Sequence, residues 1–382
     1  MIKQNVIKLK SITISGFKSF NSDEHTIEFG DVSVLIGANG AGKSNLVSFF
    51  KMVDYMMTAT LQQYVGEQGG ASSLLHYGPK TTPTLSAKFE FENESAYDAY
   101  EFSLVHAAQE RLIFTLETLS YQDKKRYKTR KYVELPLVTR ESCLASNSPE
   151  LKNFIIAKII LALLKNFKVY QFHDTSATAK IRNSGYINQS EFLYGDGGNL
   201  AAFLYGLKEN EKNRPYYEKI VRHIQQVFPQ FGDFSLQPNT RNENYIMLDW
   251  YEQNNVNYKL GAHQLSDGTI RFMALAALLM QPSKNLPSVI VLDEPELGLH
   301  PSAIVELASM VKIASQHTQV ILATQSPALL DEFKPEQITV IERDPIMQSS
   351  VFKRFTEEDL IVWLEDYSLS EIWDKNILGG KP

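Results

Sequence analysis

The sequence predicts an α/β protein with a mixed sheet and an inserted lobe of antiparallel strands and helices, and three patterns carry this prediction. Apolar, β-branched residues at 32–36 lead through a glycine-rich loop into residues with helical spacing. Between 84 and 137, apolar and polar residues alternate in several short runs, which is typical of antiparallel strands. From 288 onward, short apolar strands alternate with helices, as they do around a parallel sheet.

The same patterns place the individual elements. Near the N-terminus, residues 8–15 predict a strand, a second strand begins around Ile27, and Leu46 to Val53 recur at helical spacing. Further along, the patterns predict helices near 151–167 and 216–228, a strand at 288–292, a helix at 302–315 and strands at 319–323 and 338–341. The sequence contains no internal repeat and no sustained heptad pattern, so a long coiled coil is not expected.

The most apolar stretch, 154–167, is interrupted by Lys158. A helix that spans a bilayer needs about 20 apolar residues. We therefore expect a buried helix here and no membrane partner.

The composition is that of an ordinary globular protein, with 43% hydrophobic and 21% charged residues. A net charge of −6 argues against unspecific coating of nucleic acid, although a local basic stripe stays compatible with it. Residues 1–10 contain no apolar core of a secretory signal, and the single Cys143 cannot form an internal disulfide. Both observations favour a cytoplasmic protein.

The glycine-rich loop at 37–44 matches the phosphate-binding pattern G-x-x-x-x-G-K-[ST], directly after a strand and before a helix. Its glycines allow backbone N–H groups to approach phosphates, and the helix adds its positive end. Lys43 would bind the β- and γ-phosphates of ATP, and the Ser44 hydroxyl would ligate Mg²⁺. The predicted ATP contacts of this segment are Gly37, Asn39, Gly40, Ala41, Gly42, Lys43, Ser44 and Asn45.

A second motif, at 289–294, is an apolar strand that ends in two carboxylates. Asp293 is expected at the carboxyl edge of a parallel sheet, where open α/β sheets bind ligands, and would hold Mg²⁺ through a water molecule. Glu294 is placed to orient and polarise the attacking water. Alone, such a pair is more often a helix cap or an ion pair, but the phosphate loop favours the catalytic interpretation.

A third motif, Leu265-Ser266-Asp267-Gly268-Thr269, precedes an apolar helix, so Ser266 or Asp267 is expected to cap that helix. By itself the motif could be a helix cap without any ligand. Its position shortly before Asp293 favours a helix start that also binds a ligand.

Together with Ala323-Thr324-Gln325-Ser326-Pro327 and an opening Gly16-Phe17-Lys18-Ser19-Phe20, the order of these motifs resembles the ABC-type ATPase heads of the RecF, SMC and OLD groups. The resemblance covers roughly 1–50 and 261–333 and leaves the middle unmatched. It implies a P-loop ABC-ATPase-like head, with an N-terminal ATPase lobe at 1–95, an inserted region at 96–260 and a C-terminal lobe at 261–382.

The resemblance also implies roles for further residues. Ser266 and Gly268 would bind the γ-phosphate of a nucleotide held by a second copy, in a head-to-head dimer or higher oligomer that closes on ATP. Gln325 stands at the catalytic switch position, where many relatives have histidine. Gln171 would contact the metal, or it is an ordinary polar residue at a strand end.

For each of three other polar groups, the sequence leaves two interpretations open. Lys18 is either an ATP contact or a solvated turn lysine. His300 lies in the segment that resembles the D-loop, or it is a polar residue at a helix start. The basic cluster 124–132, with Tyr121, Tyr127 and Tyr132 interleaved, could contact DNA, although a solvated hairpin is favoured.

The sequence contains no nuclease constellation. His173 and Asp174 lack a second pair of ligands at suitable spacing, which favours a turn. The residues after Gln325 are too few for the Toprim domain of OLD nucleases. Stand-alone heads of this kind resemble the ATPase components of bacterial antiphage systems, which act beside a separate nuclease. The alternatives are a RecF-like DNA-repair ATPase and, against the N-terminal signature, the ATPase subunit of a transporter.

Overall fold

The computed structural model describes residues 7–126, 128–136, 140–146, 151 and 154–381. Met1 to Val6, Tyr127, Leu137 and Pro382, which entered the predictions above, lie outside this part. The chain forms two compact units. The first unit comprises Met1–Lys168, Pro335–Tyr367 and Glu371–Pro382, and the second comprises Val169–Lys334 and Ser368–Ser370.

The first unit contains an antiparallel sheet and a set of helices that follow the phosphate loop. Its strands are β1 (Lys8–Ser15), β2 (His25–Glu28), β3 (Val32–Ile36), β4 (Thr84–Glu92), β5 (Ala96–Ala107), β6 (Arg111–Asp123), β7 (Lys131–Glu134), β17 (Ile338–Arg343) and β18 (Ser350–Arg354). Its helices are α1 (Lys43–Met57), α2 (Leu61–Glu67), α3 (Ala71–Leu74), α4 (Ile155–Lys165) and α10 (Glu357–Leu364).

Six strands of this unit form one antiparallel sheet in the order β2-β1-β4-β5-β6-β7. The alternation seen in the sequence is explained by β4, in which every second residue is buried. Within this sheet β1 pairs with β4, with Ile12 opposite Phe89. Residues on both sides of the expected 95/96 division therefore belong to one sheet, while the three-part division itself remains a prediction.

The apolar face of α1 packs on this sheet and so fixes the direction of the helix that follows the phosphate loop. The Phe49 ring lies 5.4 Å from that of Phe17 and 5.9 Å from that of Phe89, centroid to centroid. In front of α1, the fully buried strand β3 pairs in parallel with β17, which pairs antiparallel with β18. The loop between β3 and α1 is thus held at both of its ends.

The second unit contains two small antiparallel sheets, a parallel strand pair and a helical layer. Its strands are β9 (Gly185–Tyr186), β10 (Phe231–Ser235), β11 (Pro238–Asn239), β12 (Asn242–Ile246), β13 (Asp249–Glu252), β14 (Asn255–Gly261), β15 (Val289–Asp293) and β16 (Gln319–Ala323). Its helices are α5 (Leu200–Glu209), α6 (Arg214–Val227), α7 (Asp267–Leu279), α8 (Pro301–Ala314) and α9 (Pro327–Leu330). The elements β8 (Phe167–Tyr170) and α11 (Leu369–Asp374) contain residues of both units.

The parallel pair carries the acidic motif. Every residue of β15 and of β16 is buried, and the strands pair in parallel with Asp293 opposite Ala323. Helix α7, buried along 270–279, packs against α6 and α8. The predicted α/β class with a mixed set of strands is therefore confirmed.

One expectation about burial was wrong. The helix expected near 154–167 is α4, but only one of its faces is buried, and Ile155 is 75% exposed. This segment contains more apolar residues than the buried face of the helix holds, so some of them are exposed. None of the helices in the described part of the chain is both long and apolar enough to cross a membrane.

Candidate functional site

The phosphate loop of the first unit has the backbone that its glycines predict. Gly37, Gly40 and Gly42 have φ angles of 153°, 80° and 126°, a region that residues with a side chain rarely adopt. A Cβ on Gly37 would lie 2.1 Å from the carbonyl oxygen of Ile341, and one on Gly42 would lie 2.2 Å from Ser350 Oγ. The loop thus tolerates no side chain at these two glycines.

Lys43 and Ser44 occupy the first turn of α1 and differ in exposure. Lys43 is only 5% exposed, and its ammonium group donates to the carbonyl oxygens of Gly37 and Ala38, the second at 3.1 Å. Ser44 is exposed, as are Asn39 and Gly40 at the tip of the loop. The buried ammonium therefore braces the loop from inside, while the predicted metal-ligating hydroxyl faces outward.

The start of α1 suits an anion such as the phosphates of ATP. The helix begins at Lys43 without a side-chain cap and without an acidic residue in its first turn. Its positive end is thus in the arrangement that binds phosphate in other proteins.

Two serines outside the motif support this loop, and sequence reasoning assigned this role to neither of them. Ser350, fully buried at the start of β18, donates to the carbonyl oxygen of Ala41 at 2.5 Å. Its Oγ also lies 2.8 Å from that of Ser19, which is 3% exposed. No local signal marks Ser350, because it follows the loop by more than 300 residues.

The ammonium group of Lys18 is hydrogen-bonded to two other side chains of the first unit. Its ammonium group donates to Ser48 Oγ at 2.6 Å and to Gln68 Oε1 at 3.0 Å, and its φ is 48°. Burial, together with the nearby charge of Lys51, lowers the pKa of Lys18. A nucleotide contact by Lys18 stays a prediction.

In the second unit, the end of β15 brings Asp293 and Gln171 together. Asp293 is 8% exposed, and Gln171 donates from Nε2 to its Oδ2 at 2.6 Å. The ring of His173 lies 2.9 Å from the Asp293 carbonyl oxygen, so the turn expected around this histidine packs on the acidic motif. Carboxylate and amide oxygens are ligands that Mg²⁺ prefers, so the donor set fits that ion.

Glu294, the next residue, has an unusual backbone. Its φ is 43°, in the left-handed region that costs a residue with a side chain about 1 kcal/mol or more. Its N–H donates to the carbonyl oxygen of Ala323 at 2.8 Å, which keeps this conformation in place. Such strain is concentrated at functional sites.

Gln325 contacts Glu294 directly. Its Nε2 donates to Glu294 Oε1 at 2.6 Å, so the predicted switch residue and the predicted catalytic carboxylate form one hydrogen-bonded pair. The loop 324–326 joins β16 to α9, whose N-terminus is capped by Ser326. The parallel strand pair thus positions both residues.

The Ser266 motif is a helix cap, as expected. Ser266 Oγ accepts from the N–H of Thr269 at 3.1 Å at the start of α7. A Cβ on Gly268 would lie 2.1 Å from the carbonyl oxygen of Gly298, so this glycine is required for packing against the 297–300 loop. His300 caps α8 in turn. Both motifs line a cavity of about 160 Å³, whose apolar floor includes Phe272 and Phe228.

Two arginines that sequence reasoning missed hold these loops. Arg182 donates to the carbonyl oxygens of Thr175, Ala262 and Leu265 and forms an ion pair of 2.8 Å with Asp267. Arg271, 4% exposed, donates to the carbonyl oxygens of Phe172, His173 and Leu297. A single charged residue in the otherwise apolar segment 270–279 is a signal that could have revealed Arg271. Arg182 has no such signal.

A comparison with protein families gives the decisive observation. The family described as "AAA domain, putative AbiEii toxin, Type IV TA system" (AAA_21) matches residues 32–331, well over half of the chain. The chain belongs to the AAA_21 family. This match spans the phosphate loop and the acidic motif, and it makes the protein an ATPase.

Solved structures agree with this AAA_21 assignment at the level of the fold. An SMC head bound to the C-winged helix domain of ScpA has a TM-score of 0.57 and 15% identity, over 93% of this chain and 99% of that one. The SMC head with an extended coiled coil bound to the C-terminal domain of ScpA from Pyrococcus furiosus has a TM-score of 0.54 and 16% identity, over 94% and 99%. These structures show the fold and the family match shows the ATPase, so together they confirm the predicted RecF/SMC-like ATPase head.

No curated protein with which this AAA_21 chain was compared matches it. In the described residues, no group of three or more His, Cys, Asp or Glu side chains is arranged to hold a metal ion. The assignment of Asp293, Gln171 and Ser44 as ligands of Mg²⁺ stays a prediction.

Proposed function

We propose that this AAA_21 protein is an ATP-driven switch, which closes as a head-to-head dimer when ATP binds and reopens after hydrolysis. The observation that carries the proposal is the pairing of Gln325 with Glu294 beside the pairing of Gln171 with Asp293. Two amides thus hold two adjacent carboxylates that the sequence assigns to metal binding and water activation.

Each residue has a role in this proposal. Lys43 and the loop 37–45 bind the phosphates of ATP, while Ser44, Asp293 and Gln171 hold Mg²⁺. The ion neutralises phosphate charge when bound. Glu294 orients and polarises the attacking water, and Gln325 gives up its bond to Glu294 to donate to the γ-phosphate.

A second copy completes the proposed site. Ser266 and Gly268 would contact the γ-phosphate of the nucleotide that the partner holds. Ser266 lies at the positive end of α7, which suits an anion. The cap in the free chain keeps its hydroxyl in place.

Replacement of Glu294 with Gln tests this mechanism. We expect Glu294→Gln to bind ATP normally and to lose at least about 100-fold in kcat, because the amide cannot polarise water. Steady-state phosphate release and equilibrium binding of a fluorescent ATP analogue measure the two effects. The control is Glu243→Gln, the same change at an exposed residue of β12. Turnover at the wild-type rate in Glu294→Gln would contradict the assignment.

For the biological role, we propose an ATPase subunit of a bacterial antiphage defence system that acts with a separate nuclease. The family description refers to a toxin–antitoxin system, a class that suits such a role. The test is to purify Glu294→Gln with ATP and identify what copurifies. A nuclease supports defence. DNA alone, with DNA-stimulated turnover of the wild type, supports a RecF-like repair role and overturns the defence proposal.

A further inference from the structure

A second glutamate, Glu296, lies beside the proposed catalytic pair. It follows Glu294 by two residues and has its carboxyl group inside the protein. Its Oε1 accepts from the hydroxyl of Thr324 and from the N–H of Gln325, the latter at 3.3 Å. Its Oε2 is buried and has no hydrogen-bond partner among the described residues.

These contacts hold the switch loop at its backbone. Thr324 is fully buried, and its hydroxyl donates to Glu296 while it accepts from the N–H of Ser326 at 2.9 Å. One carboxyl oxygen thus fixes Thr324 directly and Ser326 through it. The side chain of Gln325 lies between these two anchors and reaches Glu294.

A carboxyl group is a costly choice for an ordinary loop anchor. A buried acceptor without a partner is destabilising, and an amide or hydroxyl would avoid the repulsion from a neighbouring carboxylate. Burial raises the pKa of Glu296, and the charge of Glu294 raises it further. Costs of this kind are retained where the geometry serves function.

We propose that Glu296 is a positioning residue for ATP hydrolysis, which holds Thr324 and the Gln325 backbone so that the Gln325 amide lies beside the Glu294 carboxylate and can turn from it to the γ-phosphate. This inference rests on the proposed roles of Glu294 and Gln325. In the proposed arrangement, Glu296 contacts neither the nucleotide nor the attacking water. Its effect reaches the reaction only through the orientation of Gln325 and Glu294.

The inference predicts a loss in kcat without a loss in ATP binding. Thr324→Val removes the hydroxyl that joins the loop to Glu296, and we expect kcat to fall about 10- to 100-fold while KM changes less than about twofold. Thr324→Ser keeps the hydroxyl and should recover most of the lost kcat. Recovery by serine separates hydrogen bonding from mere packing.

A matched control lies at the other end of the same strand. Thr318 is 6% exposed and its hydroxyl donates to the carbonyl oxygen of Pro287 at 2.5 Å. Thr318→Val removes a comparable buried hydrogen bond of the second unit, at the end of β16 opposite to the switch loop. It should lower stability without lowering kcat.

A double-mutant cycle tests the pairing itself. If Glu296 and Thr324 act as one unit, Glu296→Ala with Thr324→Val will lose no more kcat than the worse single variant. Multiplicative losses, or a change in KM in place of kcat, would overturn the inference. If Glu296→Ala does not fold, the comparison of Thr324→Val, Thr324→Ser and Thr318→Val still decides.

The outcomes separate this inference from the proposed function. Glu294→Gln that turns over ATP at the wild-type rate refutes the proposed function. Glu294→Gln that is inactive, together with Thr324→Val at the wild-type kcat, refutes only the positioning role of Glu296.

Discussion

At the scale of single residues, the surroundings of each carboxyl group decide what it contributes. Asp293 and Glu294 each receive a hydrogen bond from a glutamine amide. Asp98, on β5, receives no hydrogen bond or ion pair within the described part of the chain. It is 5% exposed and lies opposite Phe91 and Tyr121 in the neighbouring strands. Burial raises the pKa of Asp98 from 3.8 to about 6.

The raised pKa of Asp98 predicts that the free energy of unfolding depends on pH. Because the pKa is raised in the folded state, the folded protein binds the proton more tightly, and stability is lost as the pH rises from 3.8 to about 6. Asp98→Asn lacks this loss. Relative to the wild type, we expect the variant to gain about 2 kcal/mol between pH 4 and pH 7. Urea unfolding at both pH values measures the gain, and an unchanged difference between the two proteins would contradict it.

At the scale of elements, loops between strands and helices carry the candidate site, and side chains far away in sequence hold these loops. Arg182 belongs to the segment between β8 and β9, yet it binds the carbonyl oxygens that precede α7. Its ion pair lowers the pKa of Asp267, with a hydrogen bond from Thr175 as a second cause. The loop that presents Ser266 is thus fixed by a residue more than 80 positions earlier in the chain.

Arg182→Ala should loosen this loop without unfolding the unit. We expect faster amide hydrogen exchange at 262–269, because the carbonyl oxygens of Ala262 and Leu265 lose their common donor. The control is Arg241→Ala, at an exposed arginine of the same unit. Equal exchange of the 262–269 amides in both variants would show that Arg182 does not hold the loop.

Local sequence patterns are sufficient to predict several elements and motifs of this structure. Motifs with fixed local spacing place the phosphate loop, the acidic strand end and the cap at Ser266, because strand, loop and helix follow one another in the chain. The strands β1, β3, β15 and β16 are likewise found from local apolar patterns.

The rest depends on contacts between distant residues. The pairing of β1 with β4, the support of the phosphate loop by Ser350, and the bond of Thr324 to Glu296 join segments that no local spacing relates. The exposure of α4 was missed for a different reason, since apolar periodicity does not reveal how much of a helix its neighbours cover.

At the scale of the whole molecule, we propose an ATPase whose site a second copy of the chain completes. The phosphate loop belongs to the first unit, and the acidic, switch and Ser266 motifs belong to the second. Ser266 and Gly268 have structural reasons to be present, as a cap and as a close approach to Gly298. Their proposed contact with a second nucleotide is therefore a claim about the dimer.

The mass of the Glu294→Gln protein in solution tests this claim most directly. With ATP and Mg²⁺, we expect light scattering after size-exclusion chromatography to give twice the monomer mass, because the nucleotide is bound but not hydrolysed. Without ATP, or with Ser266→Arg added to block the contact, the monomer should remain. A monomer that binds ATP tightly and never dimerises would contradict the account.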